Sequence, residues 1–318
     1  MSLNRRQFLA KAALAASAST LLRPLLFAQS QAPVAWQGPR IPPTEFVPLR
    51  GGTGYFIGRG GTIGWYSGKN ALAAIDTQFV ETARIFLEQM PGRAGRTLNV
   101  ACNTHHHSDH TGGNPVMKPA SRLLVAQRRV PLLQLRNAER FHTTPLQVFA
   151  DTLFDTEWQL DLGDEHLTAK HFGPAHTAGD AVFHFEKANV VHMGDLVFNR
   201  LYPVIDPNGG YSVRGWVDSL DRVIREYPAD AIYLFGHGNA RFGVAGSRSD
   251  LSLMRDYFTV LIAYVEKGIA AGNTREELAE GLPNMPGFDD FHVPPGRGNR
   301  LPDNIRSTYD ELTRLKGV

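Results

Sequence analysis

Apolar positions along the chain recur with two periods, and the switches between them outline the elements. From residue 50 to 75, short apolar runs separated by glycine pairs (Tyr55-Phe56-Ile57, Thr62-Ile63-Gly64-Trp65-Tyr66, and Ala71 to Ile75) predict a meander of β-hairpins. Residues 81–90 read as a helix stopped by Pro91-Gly92. Residues 97–103 (TLNVACN) form a continuous run that predicts a buried strand, with Cys102 packed in it as a small apolar residue. The less regular stretch to Asp151 is expected to contain a helix around 123–140. A second strand set follows at 157–160, 167–172, 181–185 and 190–193. Next comes a helix at 216–227 with Trp216, Leu220, Val223 and Tyr227 on one face, then a strand at 231–235 that runs into Gly236-His237-Gly238. Leu251, Met254, Phe258, Leu261, Val265 and Ile269 recur at helical spacing until Gly272. Thr274 with Glu277 makes a capping box for a short helix, and residues 303–312 close the chain with Ile305, Tyr309 and Leu312 on one face.

Two half-sets of strands and helices, with no Ser/Gly-rich linker between them, predict one α/β domain without internal repeats. Residues 50–245 carry the strands, and 246–318 form a helical extension expected to pack on the same domain. Residues 33–48 are rich in proline and read as an extended arm.

The first residues have a different character. Arg5-Arg6 precede Phe8-Leu9, Lys11 follows, and a mild Ala-rich run extends from Ala12 to Leu22. A charged start, an apolar middle and small residues after it describe a secretory signal over residues 1–28, with cleavage after Ala28 or as late as Ala32. The arginine pair and weak hydrophobicity resemble a twin-arginine signal, which implies contact with that export machinery and a periplasmic or secreted destination. A soluble amphipathic helix is the plainer alternative. Lys11 and Arg23 bracket too short a run for a membrane span, and no other run in the chain approaches the roughly 20 residues needed.

Charge changes its meaning once that segment is set aside. The chain of 318 residues has 33 Lys and Arg against 31 Asp and Glu, but four of the basic residues lie in the first 28 positions beside no acid. The remainder is therefore slightly acidic and offers no basic footprint for a nucleic acid. A single Cys excludes an internal disulfide framework, and 42% hydrophobic residues are ample for a core.

Four of the 12 histidines fall within six positions, in Thr104-His105-His106-His107-Ser108-Asp109-His110-Thr111-Gly112-Gly113. This segment leaves a predicted buried strand, the place where α/β proteins build sites. In extended chain His105 and His107 share a face and His106 points away. Asp109 and His110 can then turn toward a second ion, with Gly112 and Gly113 allowing a tight backbone. Imidazole with carboxylate suits zinc, iron, nickel or copper. One lone histidine would be ordinary, but four histidines in six positions, with an Asp among them, are not. His176, Asp195 and His237 each lie in a loop or just past a predicted strand and are candidates to complete the cluster.

The order HxHxDH, then His, Asp and His, resembles the metallo-β-lactamase fold superfamily of binuclear metallohydrolases, over roughly residues 50 to 240. The resemblance implies a four-layered αβ/βα sandwich, here with additional C-terminal helices. It implies that His105, His107 and His176 hold a first metal, that Asp109, His110 and His237 hold a second, and that Asp195 bridges them. Two zinc ions are the expected cofactors, with iron or manganese as alternatives. Such a pair activates a bridging hydroxide for attack on an ester, thioester, lactone or amide of a small-molecule substrate, with Asp109 orienting it and handling its proton. Asp76 matches a position that orders the family's site from behind, although an N-cap role is equally compatible. Thr104, Thr177 and Asp180 are candidates for fixing imidazole tautomers. Phe198, Tyr202 and Tyr211 are candidates for the substrate groove, and residues 283–298, with Phe288, Phe291 and His292, for a lid.

Departures narrow the choice. Asp195 stands where one lactamase subclass has Cys, and His107 stands where the flavodiiron proteins have Glu. A mononuclear iron persulfide dioxygenase, which shares HxHxDH, and a non-catalytic metal-binding accessory protein remain as alternatives to an exported hydrolase. Iron stoichiometry and oxygen uptake separate the first, and inactivity of metallated protein the second.

Overall fold

The computed structural model describes residues 43–291 and 298–316, so the segment expected to be an export signal, the start of the proline-rich arm and His292 lie outside the described residues. Fifteen strands among them form two large sheets and a small one. The first sheet has seven strands in chain order: β1 Glu45–Pro48, β2 Thr53–Ile57, β3 Ile63–Ser67, β4 Leu72–Ile75, β5 Val100–Asn103, β6 Leu124–Gln127 and β7 Thr152–Phe154. β2 to β4 are the expected antiparallel meander and β1 adds an unexpected antiparallel strand at its edge, whereas β4 to β7 are parallel. The end of the proline-rich arm is thus an edge strand, where a proline's missing N–H is tolerated.

The second sheet has the order β15-β13-β11-β10-β9-β8, built from β8 Glu157–Asp161, β9 His166–Lys170, β10 Val182–Phe185, β11 Val190–His192, β13 Ile232–Leu234 and β15 Ala245–Gly246. β11 and β13 are its parallel pair. β12 Phe198–Asn199 and β14 His237–Gly238 form a separate short parallel ladder.

Alternation within β4 explains the layering. Ala73 and Ile75 face the other sheet, where they join Val100, Cys102, Val125, Phe183, Phe185 and Leu234 in the central core. Leu72 and Ala74 face outward onto helix α1 (Val80–Gln89) through Ala83, Phe86 and Leu87. On the far side of the second sheet, Val182, Val191 and Tyr233 pack against helices α3 (Val213–Glu226), α4 (Arg248–Ala270) and α6 (Leu301–Lys316). Helices, sheet, sheet and helices therefore form an αβ/βα sandwich with extra C-terminal helices.

The 123–140 stretch differs from expectation. Its first part is strand β6, and helix α2 (Val130–Arg140) starts only after it, with Pro131 in the first turn, where its missing N–H costs nothing. A short apolar run buried on both faces has no period that separates strand from helix. Helix α5 (Arg275–Glu280) carries the expected capping box, Glu277 accepting from the Thr274 N–H at 2.7 Å. Glu311 of α6 accepts from Ser212 Oγ (2.9 Å) and from the Val213 N–H (2.6 Å), which ties the last helix to the start of α3. Among the described residues no helix is long and apolar enough to cross a membrane.

If the C-terminal helices are part of the core, Phe258→Ala should cost about 3–5 kcal/mol in urea unfolding, because its fully buried ring lies 4.3 Å from that of Trp216. An unchanged midpoint would show α4 to be dispensable.

Candidate metal centre

Strand ends set the site. β4 ends at Ile75, and Asp76 follows in a left-handed conformation (φ 68°) that turns its carboxylate under the next strand's exit. β5 ends at Asn103 and releases Thr104 to His107. A single helical turn, Ser108–Thr111, then carries Asp109 and His110. Gly112 and Gly113 have ordinary right-handed backbone (φ −63° and −85°), so their contribution is room rather than a special dihedral. From the second sheet, β11 leads to Asp195 in a 3₁₀ turn, and His237 opens β14 just past β13. His176 lies in the loop between β9 and β10.

These seven residues converge. His107 Nδ1 lies 3.0 Å from both His105 Nε2 and His176 Nε2. Asp109 Oδ2 lies 3.1 Å from His237 Nε2 and 3.8 Å from His110 Nε2. Asp195 sits between the two groups. Its Oδ2 is 3.8 Å from His105 Nε2, 3.6 Å from His176 Nε2 and 3.4 Å from His237 Nε2, and its Oδ1 is 3.1 Å from His110 Nε2.

Protons cannot hold the first set together, because its three rings are already committed on the side facing away from the centre, as is His110 in the second. His110 Nδ1 donates to Asp76 Oδ2 at 2.7 Å. His105 Nδ1 lies 3.0 Å from Thr104 Oγ1, which itself donates to Asp76 Oδ2 at 2.8 Å. His176 Nδ1 donates to the Val204 carbonyl at 2.9 Å, and His107 Nε2 to Asp206 Oδ2 at 3.0 Å. A neutral imidazole with its one proton turned outward presents a lone pair inward. Four such lone pairs and buried carboxylate oxygens around one centre are a donor set for divalent cations. Asp195 Oδ1, buried with only the His110 ring within reach at 3.1 Å, fits the same reading.

Charge follows position. Burial, with His107 nearby, pulls His176 down to about 3, and burial holds His105 well below the usual histidine range. Burial opposes protonation at His237 too, but Asp195 and Asp109 outweigh it and lift that ring to about 9. Against the same burial, Asp195, Asp76 and Asp109 raise His110 well above its usual value. Cations and protons therefore compete for His110 and His237, and metal affinity weakens in acid. Burial would raise Asp109, but His110 and His237 more than offset it and keep the carboxylate ionised.

Asp76 does not cap α1, whose N-cap position is Phe79. Its carboxylate instead takes the Thr104 N–H (2.7 Å), Thr104 Oγ1 and His110. Thr177 and Asp180 behave differently from expectation. The Thr177 N–H and Oγ1 donate to Asp180 at 2.8 and 2.6 Å and close their own loop, while the Val204 carbonyl fixes the His176 tautomer. Burial pushes the Asp180 carboxyl up to about 7 despite these donors.

A cleft of about 900 Å³ opens over the centre, lined by Asp109, Asp195 and His237 together with Phe79, Phe141, Ile205, Arg59 and Arg140. Phe198 lines it and stacks on His237 (centroids 5.4 Å apart, 13° between planes). Tyr202 and Tyr211 do not line it. Tyr202 is buried against Tyr257 and Phe291 with its hydroxyl accepting from the Met285 N–H, and Tyr211 donates to the Ser307 carbonyl. Phe288 and Phe291 belong to the same aromatic core rather than to a lid. Sequence reasoning missed Asp206, Arg59 and Arg140. Asp206 stands in a Pro207-Asn208-Gly209 turn, which carries no sign beyond turn chemistry.

Residues 64–237 match the family model of the metallo-beta-lactamase superfamily. The chain belongs to that superfamily. Among its relatives are the hydroxyacylglutathione hydrolases of Methylococcus capsulatus, 30% identical over 56% of this chain and 62% of that protein, and of Erythrobacter litoralis, 30% identical over 64% and 71%. The chain thus spans under two thirds of the first of these. Solved structures share the fold: a metallo-beta-lactamase from Pontibacter korlensis (TM-score 0.58, 18% identity, 68% of this chain and 99% of that one) and the inverting sec-alkylsulfatase Pisa1 from Pseudomonas sp. (TM-score 0.66, 15% identity, 86% and 50%).

Because Asp76 stands behind His110 directly and His105 through Thr104, Asp76→Asn should weaken the binding of both ions by about 10–100-fold in competition with a chromophoric chelator. Unchanged affinity would remove Asp76 from the centre.

Proposed function

We propose that this protein is a metal-dependent hydrolase, most simply a dizinc enzyme, that cleaves a small acyl substrate, with thioesters first among esters, lactones and amides. The observation that carries this reading is the assembly of two complete donor sets with Asp195 between them. The hydroxyacylglutathione hydrolase relatives support the choice of a thioester. We also propose export by the twin-arginine route, on the Arg5-Arg6 pattern alone.

His105, His107 and His176 would hold one cation and Asp109, His110 and His237 the other, with Asp195 shared. When bound, the cations supply Lewis acidity toward the acyl oxygen and a nucleophilic water of lowered pKa. The chain's own residues do the rest. Asp109, ionised and half-buried on the cleft floor, accepts the proton of the attacking water on the oxygen it does not turn toward the His110–His237 set and returns it to the leaving thiolate, so that water and thioester give acid and thiol. Phe198, laid on His237, keeps bulk water from that side. Phe79, Phe141 and Ile205 offer an apolar wall for the acyl chain, and Arg59 and Arg140 place positive charge beside an anionic leaving group.

Metallated protein should hydrolyse one acyl class, thioesters, well above β-lactams, lactones and phosphodiesters. Asp109→Asn should lower kcat by about 10²–10⁴-fold. Hydrolysis that survives His105→Ala combined with Asp195→Ala would end the proposal.

A further inference from the structure

The loop between β12 and α3, residues 200–212, holds more of the centre than its turn-like sequence suggests. Two of the three imidazoles assigned to the first cation find their outward partners on it: His176 on the Val204 carbonyl and His107 on Asp206. His107 is the member of that set that faces inward through Nδ1, a geometry open to it only while Nε2 carries the proton and points away. We propose that Asp206 is a positioning residue for the first cation, a carboxylate clamp that fixes the tautomer and ring orientation of His107, braced by His106. This inference rests on the metal-centre reading above.

The clamp is built on several contacts. Asp206 Oδ2 is 3.0 Å from His107 Nε2 and 3.5 Å from His106 Nε2, so one oxygen faces two consecutive rings. Buried His106, the histidine between the two metal-facing ones, thereby walls the clamp on its other side. Asp206 Oδ1 accepts from the Asn208 N–H at 2.9 Å, and the Asp206 carbonyl accepts from the Gly209 N–H at 3.1 Å, which folds the turn around its own carboxylate. Gly209 is required for that closeness, since a Cβ there would sit 2.5 Å from Asp206 Oδ2 and 3.0 Å from His106 Cε1. The loop in turn is held by the C-terminal helices and the segments joining them. Arg200 bonds Asp250, the Tyr202 hydroxyl takes the Met285 N–H at 3.0 Å, and Tyr211 donates to the Ser307 carbonyl at 2.8 Å. Nothing in this set reaches His110 or Asp109, whose support comes from Asp76 at the end of β4 and from His237.

His106, His107 and Asp206 also meet the bare proximity condition for a third cation. The contacts favour a clamp: His107 Nε2 has the carboxylate oxygen as its acceptor and its other nitrogen in the first set, while His106 Nε2 only faces the same oxygen at 3.5 Å.

The test is metal titration of the full chain with Co²⁺ or Zn²⁺ against a chromophoric chelator. Wild type is expected to bind two ions. In a His237→Ala background, which cripples the second set, adding Asp206→Asn or Gly209→Ala should weaken the remaining ion by about 10–100-fold. In a His176→Ala background, which cripples the first, the same changes should leave the remaining ion within about twofold. Equal weakening in both backgrounds, or in neither, would overturn the clamp while leaving the two-ion centre standing. So would a third ion in wild type that Asp206→Asn abolishes. Absence of bound ions in wild type would overturn the centre itself and the clamp with it.

Discussion

Lone pairs turned inward and protons turned outward are the constraint around which this molecule is arranged. A buried imidazole can face a cation only if its other nitrogen has somewhere to put a proton. Here that place is supplied ring by ring: Asp76 for His110, Thr104 for His105, Val204 for His176 and Asp206 for His107. Take the outer acceptors away and the rings are free to flip, and the same seven residues become a cluster of competing protons. The two sheets can be understood as the means of holding these acceptors still, since each acceptor lies within a few residues of a strand end or on a loop clamped by helices.

The two halves of the centre are held in different ways. Asp76 follows β4 directly and is fully buried, so the support of His110 is part of the sheet's own core. Val204 and Asp206 sit on a loop whose position depends on helices α4 to α6 and the segments joining them. The C-terminal helices are therefore more than a cover for the second sheet. They bury Trp216, whose ring also lies 5.4 Å from that of His176, and they anchor the loop that orients two ligands. The same loop contributes Val204, Ile205 and Asp206 to the cleft wall, so substrate contact and ligand support share one segment.

Much of this was legible in the chain itself, and the reasons differ by residue. His105, His107, Asp109 and His110 lie close enough in sequence that strand and turn periodicity alone brings them together. Asp195 and His237 announced themselves because each follows a short apolar run bounded by turn residues, a pattern read as a strand. Asp206 did not, because Asp-Pro-Asn-Gly is what any exposed turn looks like, and the Val204 carbonyl has no side-chain signal at all. Tyr202 and Tyr211 misled for the opposite reason: aromatic residues in a loop beside a site can point either way, and here both turned into the helical core. β6 was hidden because Leu124, Val125 and Ala126, a short apolar run buried on both faces, have no period to read.

Anomalous diffraction from crystals of the metal-loaded protein, collected at the metal's absorption edge, tests the central claim most directly. The account predicts two peaks about 3.5–4 Å apart with the Asp195 carboxylate between them, one against His105, His107 and His176 and the other against Asp109, His110 and His237. A single peak, or peaks elsewhere in the fold, would contradict it.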